Sequence, residues 1–164
     1  MTGAIVIEVL SATHDRTAFS CGVDALDRYF RTQVTQDVRR RVTGCYVARD
    51  TESHRIAGYY TLSAASVPLA EMPEALARRL PRYPVVPVAR LGRLAVDESW
   101  RGRRLGGALL WDAALRARRS EIAVFGLVVD AKDDNADAFY RHHGFVSFGS
   151  LPRNLVLPLA SLDT

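Results

Sequence analysis

The sequence predicts one mixed α/β domain, and three observations carry that reading. Of its 164 residues, 48% are hydrophobic, and a domain of about 150 residues buries roughly 68–70% of its unfolded surface, enough for one core. Apolar, β-branched stretches such as Val124 to Asp130 alternate with segments whose apolar residues recur every three or four positions. A strand pair precedes a strand–helix–strand–helix–strand series, the order of a sheet flanked by helices. No internal repeat or linker interrupts the chain, so one domain is expected over residues 1–164.

Ala4 to Leu10 alternates loosely and is rich in Ile and Val, which predicts a first strand. Val23, Leu26, Phe30, Val34 and Val38 then share one helical face, with Asp24 and Asp27 in the first turn, Arg39 to Arg41 in the last, and Gly44 as the stop. Cys45–Arg49 and Ile56–Ser63 read as an antiparallel pair around the polar turn Asp50–His54. Leu69–Leu80 reads as a short helix with Pro73 near its start and Pro81 past its end. Val88–Val96 is the next strand, and Leu105–Arg118 a helix with Leu105, Ala108, Leu109, Ala113 and Leu115 facing inward. Val124–Asp130 has the apolar, β-branched content of a central strand. Asp134–His143 is a helix stopped by Gly144, and Phe145–Phe148 and Leu155–Leu159 close the chain as strands.

Composition removes several function classes. Cys21 and Cys45 stand at no metal-ligand spacing and no Cys/His cluster accompanies them, so buried free thiols in a reduced compartment and no metal are expected. Apolar stretches fall far short of the roughly 20 residues of a membrane span. The first residues lack a basic region and meet Glu8, which reads as a strand and not a signal peptide. A soluble, cytoplasmic protein without membrane contact is expected. The pI is near 9.4 and the net charge +4, with Lys132 the single lysine among 22 basic residues. A GC-rich coding sequence accounts for such an excess as readily as function does. The clustering at Arg39-Arg40-Arg41, at Arg78, Arg79 and Arg82, at Arg90 and Arg93, and at Arg101, Arg103 and Arg104 suits a polyanionic ligand, because guanidinium forks match phosphates.

The most informative stretch is Leu91-Gly92-Arg93-Leu94-Ala95-Val96-Asp97, followed by Glu98-Ser99-Trp100 and Arg101-Gly102-Arg103-Arg104-Leu105-Gly106-Gly107-Ala108. A strand enters a Gly- and Arg-rich turn that opens directly into a helix. Backbone N–H groups of such a turn, with the unpaired donors of the helix N-terminus, make an anion site that fits a diphosphate. The alternative is a tight strand-to-helix turn with solvated arginines. The spacing is neither that of a Walker A loop nor Gly-x-Gly-x-x-Gly.

This stretch resembles the acetyl-CoA signature of GNAT acetyltransferases, Gln/Arg-x-x-Gly-x-Gly/Ala, with Arg101 and Gly106 at its first and last positions and Arg104 where the middle glycine is expected. Downstream, Asp133-Asp134-Asn135-Ala136-Asp137-Ala138-Phe139-Tyr140-Arg141-His142-His143-Gly144-Phe145 resembles the family's Asn-x-x-Ala-x-x-Phe-Tyr-x-x-x-Gly-Phe, with Asp133 in place of Asn. The resemblance implies the GNAT fold, a twisted, mostly antiparallel mixed sheet with acetyl-CoA in the splay between two central parallel strands. Leu94, Ala95 and Val96 would meet the pantetheine arm, and Arg101, Gly102, Arg103, Arg104, Leu105, Gly106 and Gly107 the pyrophosphate. Asp133, Ala136 and Phe139 would line the cofactor, and Tyr140 would be catalytic. Amine attack on a thioester expels a thiolate, and a phenol can give it a proton. The structural alternative is a tyrosine that only packs. Asp97 and Glu98 read as solvated turn residues or a helix-start cluster, His142 and His143 as cations at a helix C-terminus, and no general base stands out.

Three further segments resemble one subfamily, the toxin acetyltransferases of toxin–antitoxin pairs of the TacT/AtaT type. They are Phe19 to Phe30 with Gln36 and Asp37, Ile56 to Ser63, and Leu80 to Asp97. That resemblance implies acetylation of the α-amino group of aminoacyl-tRNA, a block to translation, a ribbon–helix–helix antitoxin as partner and, in many members, a homodimer. Esterification draws electrons from the α-amine, whose pKa falls below the roughly 7.7–8.0 of a free terminus, so little base is needed. Arg39, Arg40, Arg78, Arg79, Arg82, Arg90 and Arg93 are the residues that would hold tRNA phosphates. A GNAT enzyme of a small amine or a protein N-terminus, and a non-catalytic acyl-CoA-binding module, are the other readings.

Overall fold

The computed structural model describes residues 4–162. The elements are β1 (Ile5–Val9), α1 (Asp24–Thr32), α2 (Val34–Arg39), β2 (Gly44–Asp50), β3 (Ile56–Pro68), α3 (Glu74–Ala77), β4 (Val85–Val96), α4 (Leu105–Arg119), β5 (Gly126–Asp130), α5 (Asp134–His142), β6 (Val146–Ser147) and β7 (Asn154–Pro158). Short 3-10 turns stand at Leu69–Glu71, Glu98–Trp100 and Leu159–Ser161. The strands form one sheet in the order β1-β2-β3-β4-β5-β7-β6. β1–β2, β2–β3, β5–β7 and β6–β7 pair antiparallel, and β4–β5 pairs parallel from Val88↔Gly126 to Arg90↔Val128. This is the mixed, mostly antiparallel α/β architecture that the sequence predicts.

Two units share the chain, residues 4–63 with 92–113 and residues 64–91 with 114–162. The first is centred on an aromatic trio. Phe30 stacks on Tyr59 with ring centroids 4.2 Å apart, and Phe19 meets both edge-on at 5.1 and 5.5 Å. Val34, Val47 and Ala95 complete that core. In the second unit, Val67, Met72, Leu76, Val88, Val128, Phe148 and Val156 pack together. Cys21 and Cys45 are buried thiols that form no disulfide.

Local chemistry explains where the elements differ from the expected ones. The helix expected from Val23 breaks at Gln33, whose φ of −125° separates α1 from α2. Thr32, Val34 and Thr35 put three β-branched side chains around the break and weaken the helix there. Phe30 and Val34 are still fully buried, so the apolar stripe is used across the break. The helix expected over Leu69–Leu80 shrinks to α3 because Pro73 forces Met72 into extended backbone, with ψ at 146°. β3 runs five residues past Ser63, to Pro68, on a modest exposed–buried alternation that ends with Val67 inward. β4 begins at Val85 and accommodates Pro87, which has no N–H to give; its carbonyl accepts from the Phe125 N–H at 2.8 Å. On α4, Leu105, Leu109 and Ala113 are buried as expected, while Ala108 faces solvent.

Candidate active site

The sequence between β4 and α4 folds into a stepped turn. Asp97 caps the 3-10 turn Glu98–Trp100, and its Oδ2 accepts from the Ser99 N–H at 3.0 Å and the Ser99 hydroxyl at 2.6 Å. Its Oδ1 accepts from the Ser20 N–H at 2.9 Å. Asp97 is therefore a helix-start residue, but it is 5% exposed and not solvated. Burial pushes its carboxyl up, yet the Ser99 hydroxyl and the N–H groups of Ser20 and Ser99 outweigh burial and hold it below its ordinary value. It is an ionised structural anchor and no proton acceptor for catalysis. Glu98 is exposed, as expected of a turn residue.

Arg101 to Arg104 are exposed, and two of the four take left-handed backbone, Gly102 at φ +77° and Arg104 at φ +61°. A Cβ on Gly102 would meet nothing within 4 Å, so glycine serves φ there and not space. Arg104 occupies the position where the signature carries its middle glycine, and its backbone adopts the conformation that glycine favours. The substitution therefore leaves the path of the turn intact. Ala108 donates to the Arg104 carbonyl at 3.3 Å. The N–H groups of Leu105, Gly106 and Gly107 lie in the first helical turn, where donors have no intrahelical partner. Gly106 and Gly107 are half-buried, Leu105 is buried, and Arg103 lays its guanidinium 4.6 Å from the centre of the Trp100 ring. Leu94 and Val96 are half-buried on β4, and Ala95 is buried. Helix-start donors, left-handed turn backbone and clustered guanidinium charge fit a diphosphate.

In the second unit, α5 starts where the Asp133 carboxylate accepts from the Ala136 N–H at 2.8 Å. The Asp that replaces the family's Asn thus spends one oxygen as a helix cap. Ala136 and Phe139 are half-buried. Tyr140, 9% exposed, sits with its ring centroid 5.3 Å from those of both Phe139 and Phe145. Burial pushes its phenol up to about 12, so it remains protonated through the neutral range. Among the described residues nothing accepts from its O–H. Gly144, at φ +97°, follows the helix end as expected. His142 and His143 are exposed there, and His143 Nδ1 lies 2.9 Å from the Phe139 carbonyl oxygen.

Residues 41–147 match the acetyltransferase (GNAT) domain. The chain belongs to the GNAT acetyltransferase family. It is 30% identical to a probable toxin TacT of Sinorhizobium fredii over 98% of this chain and 96% of that protein. It is 35% identical to a tRNA-acetylating toxin of Mycobacterium tuberculosis over 96% of this chain and 93% of that one. Among solved structures, AtaT complexed with acetyl-methionyl-tRNAfMet is similar with a TM-score of 0.88 at 28% identity, each chain covered to 96%. A Tyr-to-Phe variant of AtaT bound to the C-terminus of the antitoxin AtaR and acetyl-CoA is similar with a TM-score of 0.79 at 26% identity, covering 96% of this chain and 94% of that one.

The arginines of this GNAT acetyltransferase fall into separate settings. Arg39 and Arg40 are exposed at the end of α2, beside Arg41 at φ +62°. Arg93 is half-buried on β4, with its guanidinium carbon 3.4 Å from the centre of the Tyr29 ring. Arg78 pairs with Glu74 at 3.6 Å, so its charge is partly answered within α3. Arg79 and Arg82 are exposed and Arg90 is half-buried. Arg101, expected at the cofactor, turns its side chain to the Cys21 carbonyl at 2.7 Å and lies 3.8 Å from Glu98. Its guanidinium thus holds protein backbone. Tyr29 and the Cys21 carbonyl were outside the sequence reading, because no local pattern links α1 to β4 or to the turn that follows it. Among the described residues, no group of three or more His, Cys, Asp or Glu side chains could hold a metal ion, and no helix is long and apolar enough to cross a membrane.

Proposed function

We propose that this GNAT acetyltransferase is a cytoplasmic toxin that moves an acetyl group from acetyl-CoA to the α-amino group of an aminoacyl-tRNA, so that the amine can no longer form a peptide bond. The observation that carries the proposal is the 35% identity to a tRNA-acetylating toxin across 96% of the chain. The whole chain acts as one acetyltransferase domain, neutralised by an antitoxin whose tail covers it, as the AtaT–AtaR pairing suggests.

Acetyl-CoA, when bound, supplies an acetyl thioester. The backbone N–H groups of Gly102 to Gly107 would hold the diphosphate, with the charges of Arg103 and Arg104 beside it. Leu94 to Val96 would offer strand edge to the pantetheine arm, and Ala136 and Phe139 an apolar wall. Tyr140 holds its phenolic proton and would donate it to the sulfur that leaves. Asp97, the buried carboxylate next to the turn, is taken up by Ser20 and Ser99, which suits an amine whose pKa the ester linkage already lowers. Arg39, Arg40, Arg79, Arg82, Arg90 and Arg93 would meet phosphates, with Arg78 weaker for its pairing to Glu74.

The test is transfer of labelled acetyl from acetyl-CoA to a pool of charged tRNA, beside uncharged tRNA, spermidine and a peptide mixture. Label on the aminoacyl moiety, much reduced in Tyr140→Phe, is the expected result. Label on the polyamine or peptides alone would replace the tRNA reading with a small-amine or N-terminal acetyltransferase. Acetyl-CoA binding without any transfer would point to a non-catalytic module.

A further inference from the structure

The cation–π pair in the first unit has a feature that stability does not explain. Arg93 is half-buried, yet among the described residues no carboxylate, carbonyl or hydroxyl accepts from its guanidinium. It lies instead over the face of Tyr29, 3.4 Å from guanidinium carbon to ring centre. A guanidinium lying flat on a ring is held by the ring's quadrupole through its own face, while its N–H edges stay unspent. The ring is fixed in turn. Tyr29 is 7% exposed, and its hydroxyl donates to Asp37 Oδ2 at 2.8 Å. Asp37 belongs to α2, which carries Arg39 and leads directly into Arg40. Among the described residues none of the Arg93 nitrogens is both buried and unpartnered, so the N–H edges of the fork face solvent, where an anion can meet them.

We infer that Tyr29 is a positioning residue, one that presets the Arg93 guanidinium as a fixed fork for a phosphate of the RNA substrate. This rests on the aminoacyl-tRNA reading above and adds the residue that orients the contact. Asp37 holds the platform by its hydroxyl end, and Arg39 and Arg40 supply further charge without fixed geometry. The ring face, rather than the hydroxyl, orients the cation, so phenylalanine substitutes for tyrosine and an aliphatic residue does not.

The experiment uses the full chain with charged tRNA as the varied substrate, acetyl-CoA saturating, and acetyl-CoA affinity measured separately by calorimetry. Tyr29→Leu is expected to raise the KM for charged tRNA about five-fold, with kcat and acetyl-CoA affinity within about two-fold. Tyr29→Phe recovers most of that loss. Arg93→Gln raises KM at least as far and lowers the slope of log affinity against log salt by about one, the share of a single phosphate contact. Should Tyr29→Leu fail to fold, Arg93→Lys replaces it, because an ammonium cannot lie on the ring as a planar fork, and the same rise in KM is expected. NMR gives a readout free of tRNA: the Arg93 Nε–H proton is shifted by the ring current in wild type and Tyr29→Phe, and not in Tyr29→Leu. If Arg93→Gln weakens tRNA binding while folded Tyr29→Leu matches wild type, the positioning role is overturned and the tRNA reading stands. If Arg93→Gln matches wild type, the phosphate contact itself is overturned. If wild type acetylates no charged tRNA, both readings fall together.

Discussion

Arg101 donates to the Cys21 carbonyl at 2.7 Å, and the N–H of the same Cys21 donates to buried Asp27 at 2.8 Å. One residue is thus tied on one side to the turn before α4 and on the other to α1. Gly22 makes the join possible. It sits at φ +88°, and a Cβ there would come within 2.6 Å of Arg101 Nη2 and 2.9 Å of Glu98 Oε1. Both are ends of flexible side chains and can swing aside, but Arg101 then gives up its carbonyl. Left-handed backbone costs a non-glycine residue about 1–2 kcal/mol. Gly22→Ala is expected to lower stability by that amount, or roughly 2–8 °C in Tm for a domain of this size, and to weaken acetyl-CoA binding. Differential scanning calorimetry with and without acetyl-CoA checks both effects. An unchanged Tm would show that the turn does not depend on this join.

Arg104 offers the opposite experiment, since a residue with a Cβ already stands at φ +61°. Glycine relieves about 1–2 kcal/mol of left-handed strain and costs about 0.5–1 kcal/mol of chain entropy. Arg104→Gly is therefore expected to stabilise by a few tenths to about 1 kcal/mol. Arg104→Val, β-branched at positive φ, is expected to destabilise by about 1–2 kcal/mol. Urea unfolding midpoints separate the two, and equal shifts in the same direction would contradict the backbone argument.

The turn and its partners show what a sequence can reveal. Apolar content and spacing placed the strands, α4 and α5 close to their positions, because burial on one face acts over neighbouring residues. Pro73 and the β-branched residues around Gln33 were visible too, and their consequence, a shorter α3 and a broken first helix, follows from local backbone sterics. The Gly-Arg stretch was readable as a turn opening into a helix because its residues are neighbours in the chain. Asp97 with Ser20, Arg101 with Cys21 and Arg93 with Tyr29 were illegible. Each joins segments far apart in the chain, and nothing in either segment announces the other.

Tyr140 is expected to act by holding its proton. Tyr140→Phe should lower kcat roughly a hundred- to ten-thousand-fold, the usual worth of a general acid, with acetyl-CoA affinity and Tm nearly unchanged. Burial raises the phenol from 10.0 to about 12, so the folded protein holds this proton more tightly than the unfolded chain. Below pH 10 both states are protonated and Tyr140 adds no pH dependence; between about 10 and 12 it makes stability fall as pH rises. The rate profile of the free enzyme should accordingly show no alkaline limb from Tyr140 up to about pH 10. A limb near pH 9 in wild type, absent from the residual activity of Tyr140→Phe, would contradict this assignment.

Glu8 governs the acid side. Hydrogen bonds from Arg49, at 2.9 and 3.2 Å, and then from His14, at 2.6 Å, hold its carboxyl down from 4.5 to about 2. His14 Nδ1 accepts from the Ser11 N–H at 2.9 Å, which leaves its Nε2 proton facing Glu8. A carboxyl whose pKa is lowered on folding stabilises fully above its unfolded value and loses that contribution as pH falls through the folded one. The stabilisation is therefore complete above about pH 5 and fades between about 4.5 and 2. The Glu8 side chain is 32% exposed, and solvent screening limits the effect to about 1 kcal/mol. Glu8→Gln is expected to be less stable than wild type at pH 7 by that amount, with the gap narrowing progressively as pH falls from about 4.5 towards 2 and the wild-type carboxylate takes up its proton. Thermal midpoints of both proteins at pH 7, 5, 4 and 3 test this. A gap that stays constant down to pH 3 would mean that Glu8 supports β1 and β2 through shape and neutral hydrogen bonds and not through its charge.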